Sequence, residues 1–137
     1  MALETLKDSK TIDGFTVLNI DKLAKENPDK WDAENRRFDW DWFKKNVYPN
    51  GNYIIIDEHK NSITFKLQNG PIKENGVNGC QVDTIVATVS RIMEGLNEKF
   101  SSRFNELALA NLNTTYAALK FRKEDREDRG VEGYNKE

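Results

Sequence analysis

Three arginines, Arg122, Arg126 and Arg129, sit four and three residues apart in the segment FRKEDREDRGVEG. At the period of an α-helix that spacing puts them in one column on one face. Stacked guanidinium groups repel one another unless acids or a bound anion lie among them. Two chemistries answer that need. Arginine is planar and always charged, and its fork matches the oxygens of a phosphate, so the column could hold a phosphorylated ligand. Alternatively, RKEDREDR carries four basic and four acidic residues, with Asp125 placed to pair with Arg129 at i,i+4, and basic groups suit a helix C-terminus. The column would then be salt-bridge decoration. Spacing alone leaves both open. Asn105 continues the same stripe but lies about 26 Å away along a straight helix. A small ligand cannot reach both in one chain. Asn105 and the arginines would meet only if the same helix of another copy ran antiparallel.

The elements that must position these residues are two amphipathic helices. The first is predicted over 81–100, where Val82, Ile85, Val86, Val89, Ile92, Met93 and Leu96 follow a helical period. The second is predicted over 103–129, capped by Ser101 or Ser102 and ended by Gly130. Leu109, Leu112, Tyr116 and Leu119 form one stripe, and Phe104, Leu107 and Ala108 an adjoining one. So wide an apolar face predicts that the hairpin oligomerises.

Upstream the chain reads differently. Residues 1–13 are polar and predicted to be loosely held. GFTVLNI (14–20) reads as a short strand. Asp21 is an N-cap candidate for a helix over DKLAKEN, and Pro28 interrupts it. Phe38, Trp42, Phe43 and Val47 then fall at helical spacing in an aromatic region that also holds Trp31 and Trp40, residues expected to pack a core or an interface. Pro49-Asn50-Gly51-Asn52 signals a turn. YIIID and ITFKL read as a β-hairpin with His59 at its turn. The stretch 68–80 reads as a loop in which Gly76 and Gly79 supply positive φ or close backbone approach, and its N–H groups could face an anion. The predicted fold class is α+β: a small N-terminal β-sheet region with short helices over 1–74, then a long helical hairpin over 75–137 that carries ligand-binding and oligomerisation faces.

Composition narrows the function. The chain has 137 residues, of which 37% are hydrophobic and 32% charged, so its core is modest and burial between subunits would add to its stability. With 21 basic and 23 acidic residues it lacks the cationic excess a DNA- or RNA-binding protein uses to displace counterions. A local cluster suffices for a small anion. One cysteine, Cys80, excludes an internal disulfide framework, and one Cys with one His cannot make a Cys/His zinc site. No apolar leader and no span of ~18 apolar residues is present, which predicts a cytosolic protein away from membranes.

At this point ENGVNGCQVD, the helix after it, FNELALA and LKFRKEDREDRGVEG carry a resemblance. Together they resemble a helical hairpin of phage proteins, shared by the anti-Thoeris sponge family and the anti-CBASS cyclic-oligonucleotide sponges, over roughly residues 74–133. A β region before the hairpin looks more like the anti-Thoeris members. The resemblance implies a non-enzymatic protein, working in the host cytoplasm without a cofactor, that sequesters cyclic ADP-ribose isomers made during infection. It also implies assembly as a dimer or as a hexamer built from dimers, and a second class of site for cyclic di- or trinucleotides. By position, Asn105, Arg122 and Arg126 match residues of the ADP-ribose pocket, and Arg129 with Gly130 matches the second site. Phe100 is the candidate for base stacking. Tyr134 stands where the family ending has a small residue, a departure expected to leave the pocket unaffected. The alternatives are a plain helical assembly or adaptor protein and a hydrolase of the same signal. The second wants a metal site or an acid–base pair. The chain offers no HxxE, HD or Gly-rich phosphate loop, and only surface carboxylate pairs such as Asp39/Asp41 and Asp57/Glu58.

Overall fold

A small mixed sheet with short helices precedes a long helical hairpin in the computed structural model, which describes residues 2–7, 10–47 and 53–134. The turn expected at 49–52 lies outside the described residues. The chain opens with α1 (Ala2–Lys7), then β1 (Thr11–Ile12) and β2 (Phe15–Asn19). Asp13 and Gly14 join these strands with φ of 50° and 82°. Ile12 pairs with Phe15 in antiparallel register, so this is a two-residue hairpin loop with both central residues left-handed. Asp-Gly is a favoured pair for that turn.

The described residues 2–7 and 10–13 are therefore not a loose tail. Leu6 is fully buried and Ile12 nearly so, and both join Ile54 and Ile56 as the centre of the core. A six-residue helix is too short to hold itself together in water, so tertiary burial supplies its stability. The sequence signal was correspondingly faint, because six residues make fewer than two turns and cannot establish a period.

Helix α2 (Ile20–Glu26) begins at Asn19, whose side chain accepts from the Lys22 N–H at 3.1 Å. Asp21, the expected cap, lies one turn inside and is used elsewhere. Its Oδ2 accepts from the Glu58 N–H at 3.2 Å, and its Oδ1 meets Arg36 at 3.4 Å. A short 3-10 turn at Pro28–Lys30 leads to β3 (Trp31–Asp32) and β4 (Arg37–Phe38), a small separate hairpin. Phe38 thus lies in a strand, and not in the helix its spacing suggested. Its neighbour Asp39 caps α3 (Trp40–Asn46), accepting from the Trp42 N–H at 3.0 Å. The aromatic residues still converge as expected. Trp31 and Phe38 have ring centroids 4.6 Å apart, and Phe38 and Phe43 5.6 Å. Arg36 ties this hairpin to the sheet through Asp57 at 2.9 Å.

Strands β5 (Tyr53–Asp57) and β6 (Ser62–Phe65) form the expected hairpin, with His59 exposed at its turn. The sheet order is β1-β2-β5-β6, with β2 and β5 parallel and the other pairs antiparallel. The segment 68–80 holds a one-turn helix, α4 (Ile72–Asn75). Gly76 ends it at φ 71°. Gly79 serves by close approach, since a Cβ there would collide with the Leu67 and Lys66 backbone. That approach lets Cys80 bond to Lys66 O at 2.7 Å and accept from the Gln68 N–H at 2.9 Å. Cys80 is buried, and burial pushes its thiol above the usual range, which makes it a packing residue.

Helices α5 (Val82–Lys99) and α6 (Arg103–Asp128) match the predicted hairpin to within a residue. Ser102 is the cap, accepting from the Asn105 N–H at 3.1 Å. The inward face of α5 is not its apolar stripe. Thr84, Thr88 and Gly95 are buried, and the Thr88 hydroxyl donates to Thr84 O at 2.8 Å, which satisfies it locally. Small side chains let α1 and the sheet approach closely. Ala87 and Ile92 complete the core, whereas Val82, Val89 and Leu96 face outward. On α6, Leu109, Leu112, Tyr116 and Leu119 are half-buried, while Phe104 and Leu107 stay exposed. Among the described residues no helix is long and apolar enough to cross a membrane.

Candidate functional site

Two adjoining hollows lie along the C-terminal half of α6. The larger, about 210 Å³, is walled by Ile72 of α4, the start of α5 at Gln81–Asp83, and Leu119, Arg122, Lys123 and Arg126 of α6. Glu132, Gly133 and Tyr134 close it. The smaller, about 180 Å³, shares Ile72, Gln81, Asp83 and Lys123 and runs on to Asp13 and Lys120. Leu119, Arg122, Lys123 and Arg126 are spaced i, i+3, i+4 and i+7, so a single helical face lines the groove.

The charges in the groove are unevenly committed. Arg126 is mostly buried and holds the chain end. Its Nε donates to Glu132 at 3.2 Å, and its Nη2 to the carbonyls of Val131 at 3.1 Å and Tyr134 at 2.9 Å. The RGVEG ending follows from this. Gly130 leaves the helix at φ 72° and Gly133 turns at φ 78°, conformations that cost other residues strain. The Gly133 carbonyl then accepts from the Lys73 N–H at 2.8 Å, docking the turn on α4. Asp83 accepts from Lys120 at 3.3 Å, so both acids that line the larger hollow already face a cation. Arg122 and Lys123 make no hydrogen bond or ion pair with any described residue. Two uncompensated cations thus face the groove. They share the groove with the first turn of α5, where the Gln81 side chain accepts no N–H and the Thr84 N–H donates to Asp83 Oδ1 at 3.0 Å. Such a helix end favours negative charge.

The smaller hollow ends at a partly buried polar knot. Asp13 accepts from the Tyr116 hydroxyl at 2.8 Å, Lys120 Nζ at 2.9 Å and the Thr84 hydroxyl at 3.1 Å. Burial opposes the Asp13 charge, but the hydrogen bonds and charge of its partners prevail and hold its carboxyl below the ordinary 3.8. For Lys120, burial is likewise outweighed by Asp13, and the ammonium is held above its usual range. The knot ties the first hairpin turn to both long helices. Its pH dependence follows. Asp13, depressed on folding, contributes stability above its ordinary value and loses it as pH falls through the folded one. Lys120, raised on folding, contributes below 10.5 and loses it only at strongly alkaline pH. Asp13→Asn keeps the turn chemistry and removes the charge. Melting temperatures of the two proteins should therefore differ most near pH 7 and converge below about pH 4. A gap that stays constant down to pH 3 would contradict the charge role.

The structure separates the other site residues expected from sequence. Asn105 donates to the Phe100 carbonyl at 2.9 Å, at the turn between α5 and α6. Phe100 is 75% exposed there, at the end of α6 opposite the groove. Arg129 pairs with Asp125 at 3.0 Å, as its spacing suggested, and does not line the groove; nor does Gly130. One chain therefore brings Arg122 and Arg126 together and leaves Asn105 and Phe100 far away. Sequence reasoning missed Lys123, which lies off the arginine column. Tyr134, which the resemblance left out of the ligand pocket, lines this groove.

No family model matches the chain. Over 71 residues, 51% of this chain, it is 37% identical to "Thoeris anti-defense 1" of Bacillus phage SBSphiJ7. The match supports the anti-Thoeris family. The chain spans about half the length of the curated relative it matches.

Proposed function

We propose that this chain is a phage anti-Thoeris protein that evades host defence by binding and sequestering a cyclic ADP-ribose-type nucleotide in the host cytoplasm without degrading it. The observation that carries the reading is the groove in which Arg122 and Lys123 lack counter-charges while the neighbouring acids are already paired. A diphosphate supplies the missing charge, and Arg126 lies within the same wall. Sequestration needs tight binding and no catalyst, so no acid–base pair is required of the site. Asn105 enters from a neighbouring subunit in an antiparallel assembly, a dimer or a hexamer built from dimers. The exposed Val82, Phe100, Phe104 and Leu107 give such an assembly apolar surface to bury. Arg129 with Gly130 serves a second site for cyclic di- or trinucleotides.

A specific observation favours the adaptor reading: Arg126 and Arg129 are both in ion pairs within the chain, as decoration requires. Thermal melting separates the two readings. A cyclic ADP-ribose isomer at ~100 times its dissociation constant should add roughly 2.7 kcal/mol of stability. The ligand recovered after denaturing the protein should be intact. An unchanged melting curve with every isomer favours the adaptor, and recovered hydrolysis products favour the hydrolase.

A further inference from the structure

A nucleotide site needs a flat apolar face for the base as well as cations for its phosphates, and within one chain the residue expected to stack, Phe100, lies beside Asn105 at the far end of α6, so like Asn105 it reaches this groove only from a neighbouring copy. Among the described residues that line the larger hollow, Tyr134 is the aromatic one. It is 40% exposed, and its backbone is fixed at two points. The Tyr134 N–H donates to Val131 O at 3.1 Å, and its carbonyl accepts from Arg126 Nη2 at 2.9 Å. Gly133, just before it, is docked on α4. The turn so held places the partly exposed Tyr134 in the lining of the same groove as Gln81, Arg122 and Lys123. An aromatic face next to uncompensated cations is the pairing that single nucleotides call for.

We infer that Tyr134 is the base-stacking wall of the groove and a specificity-determining residue, with Arg126 acting as the positioning residue that holds the Tyr134 backbone. The inference rests on the proposed nucleotide reading and adds which part of the ligand each wall takes. Arg122 and Lys123 face the phosphates. Tyr134 takes the purine, and its ring needs no hydroxyl to do so.

Binding of cyclic ADP-ribose and of inorganic pyrophosphate by the full chain, measured by calorimetry, tests it. Tyr134→Ala should weaken cyclic ADP-ribose roughly five- to a hundredfold, the range for losing one base–aromatic stack. It should leave pyrophosphate affinity within twofold, and Tyr134→Phe should bind both ligands as the wild type does. Equal losses for both ligands in Tyr134→Ala would mean that the turn had merely collapsed, and would overturn the stacking role. So would wild-type cyclic ADP-ribose affinity in Tyr134→Ala; if Arg122→Ala still lost that affinity, the nucleotide reading would survive alone. A wild-type protein that binds pyrophosphate but no cyclic ADP-ribose would remove the reading and the inference together.

Discussion

Replacing both Arg122 and Arg126 by alanine should lower affinity for a cyclic ADP-ribose isomer by at least about tenfold. A charge-assisted hydrogen bond to a bound phosphate is worth about 1.5–3 kcal/mol, roughly ten- to a hundredfold in affinity. The two positions lie one helical turn apart and share a groove, so their losses need not add. They should also differ in kind. Arg122 has no partner within the described chain, so Arg122→Ala should reduce binding with little change in stability. Arg126 holds Glu132, Val131 and Tyr134, so Arg126→Ala should loosen the C-terminal turn as well. Calorimetric titration, with circular dichroism to confirm retained helix, checks this. Unchanged affinity in the double variant would return the arginines to surface decoration.

Leu6→Ala should cost about 2–5 kcal/mol of folding stability, the usual range for emptying a fully buried leucine site. Leu6 has no exposed surface and packs with Ile12, Ile54 and Ile56 at the centre of the core. Glu4 of the same short helix reaches Lys99 at the end of α5 at 3.1 Å. That pair is exposed and worth little by itself, so the leucine is the anchor. Urea denaturation of wild type and variant measures the difference. A midpoint shift equivalent to less than about 0.5 kcal/mol would show that the N-terminal helix is dispensable, as a loose tail would be.

The contrast between Leu6 and the long helices shows what the sequence could reveal. A helical period needs several turns to declare itself. Eighteen and twenty-six residues gave α5 and α6 their boundaries, and the β5–β6 hairpin was legible from two β-rich runs around a polar turn. Six residues gave α1 none. The Asp13-Gly14 turn carried a recognisable signal, but the partners of Asp13 lie 71 to 107 residues away, and no local pattern announces such a knot. The inner face of α5 includes Thr84, Thr88 and Gly95, which a search for apolar residues passes over. At the groove, reading one helical column placed Arg122 and Arg126 on one wall. It missed Lys123 on the adjoining face and Tyr134, which reaches the groove only because two glycines turn the chain back. Phe100 and Asn105 were grouped with the arginines by resemblance, and one chain holds the two pairs at opposite ends of α6.

The central claim is that the groove captures a cyclic ADP-ribose-type nucleotide intact. Native mass spectrometry of the full chain against a panel of cyclic ADP-ribose isomers tests it most directly. The expected spectrum shows an oligomer whose mass rises by whole multiples of one unmodified isomer, with the same isomer released on denaturation. A spectrum with no bound nucleotide for any isomer, or with only hydrolysed fragments released, would contradict the account.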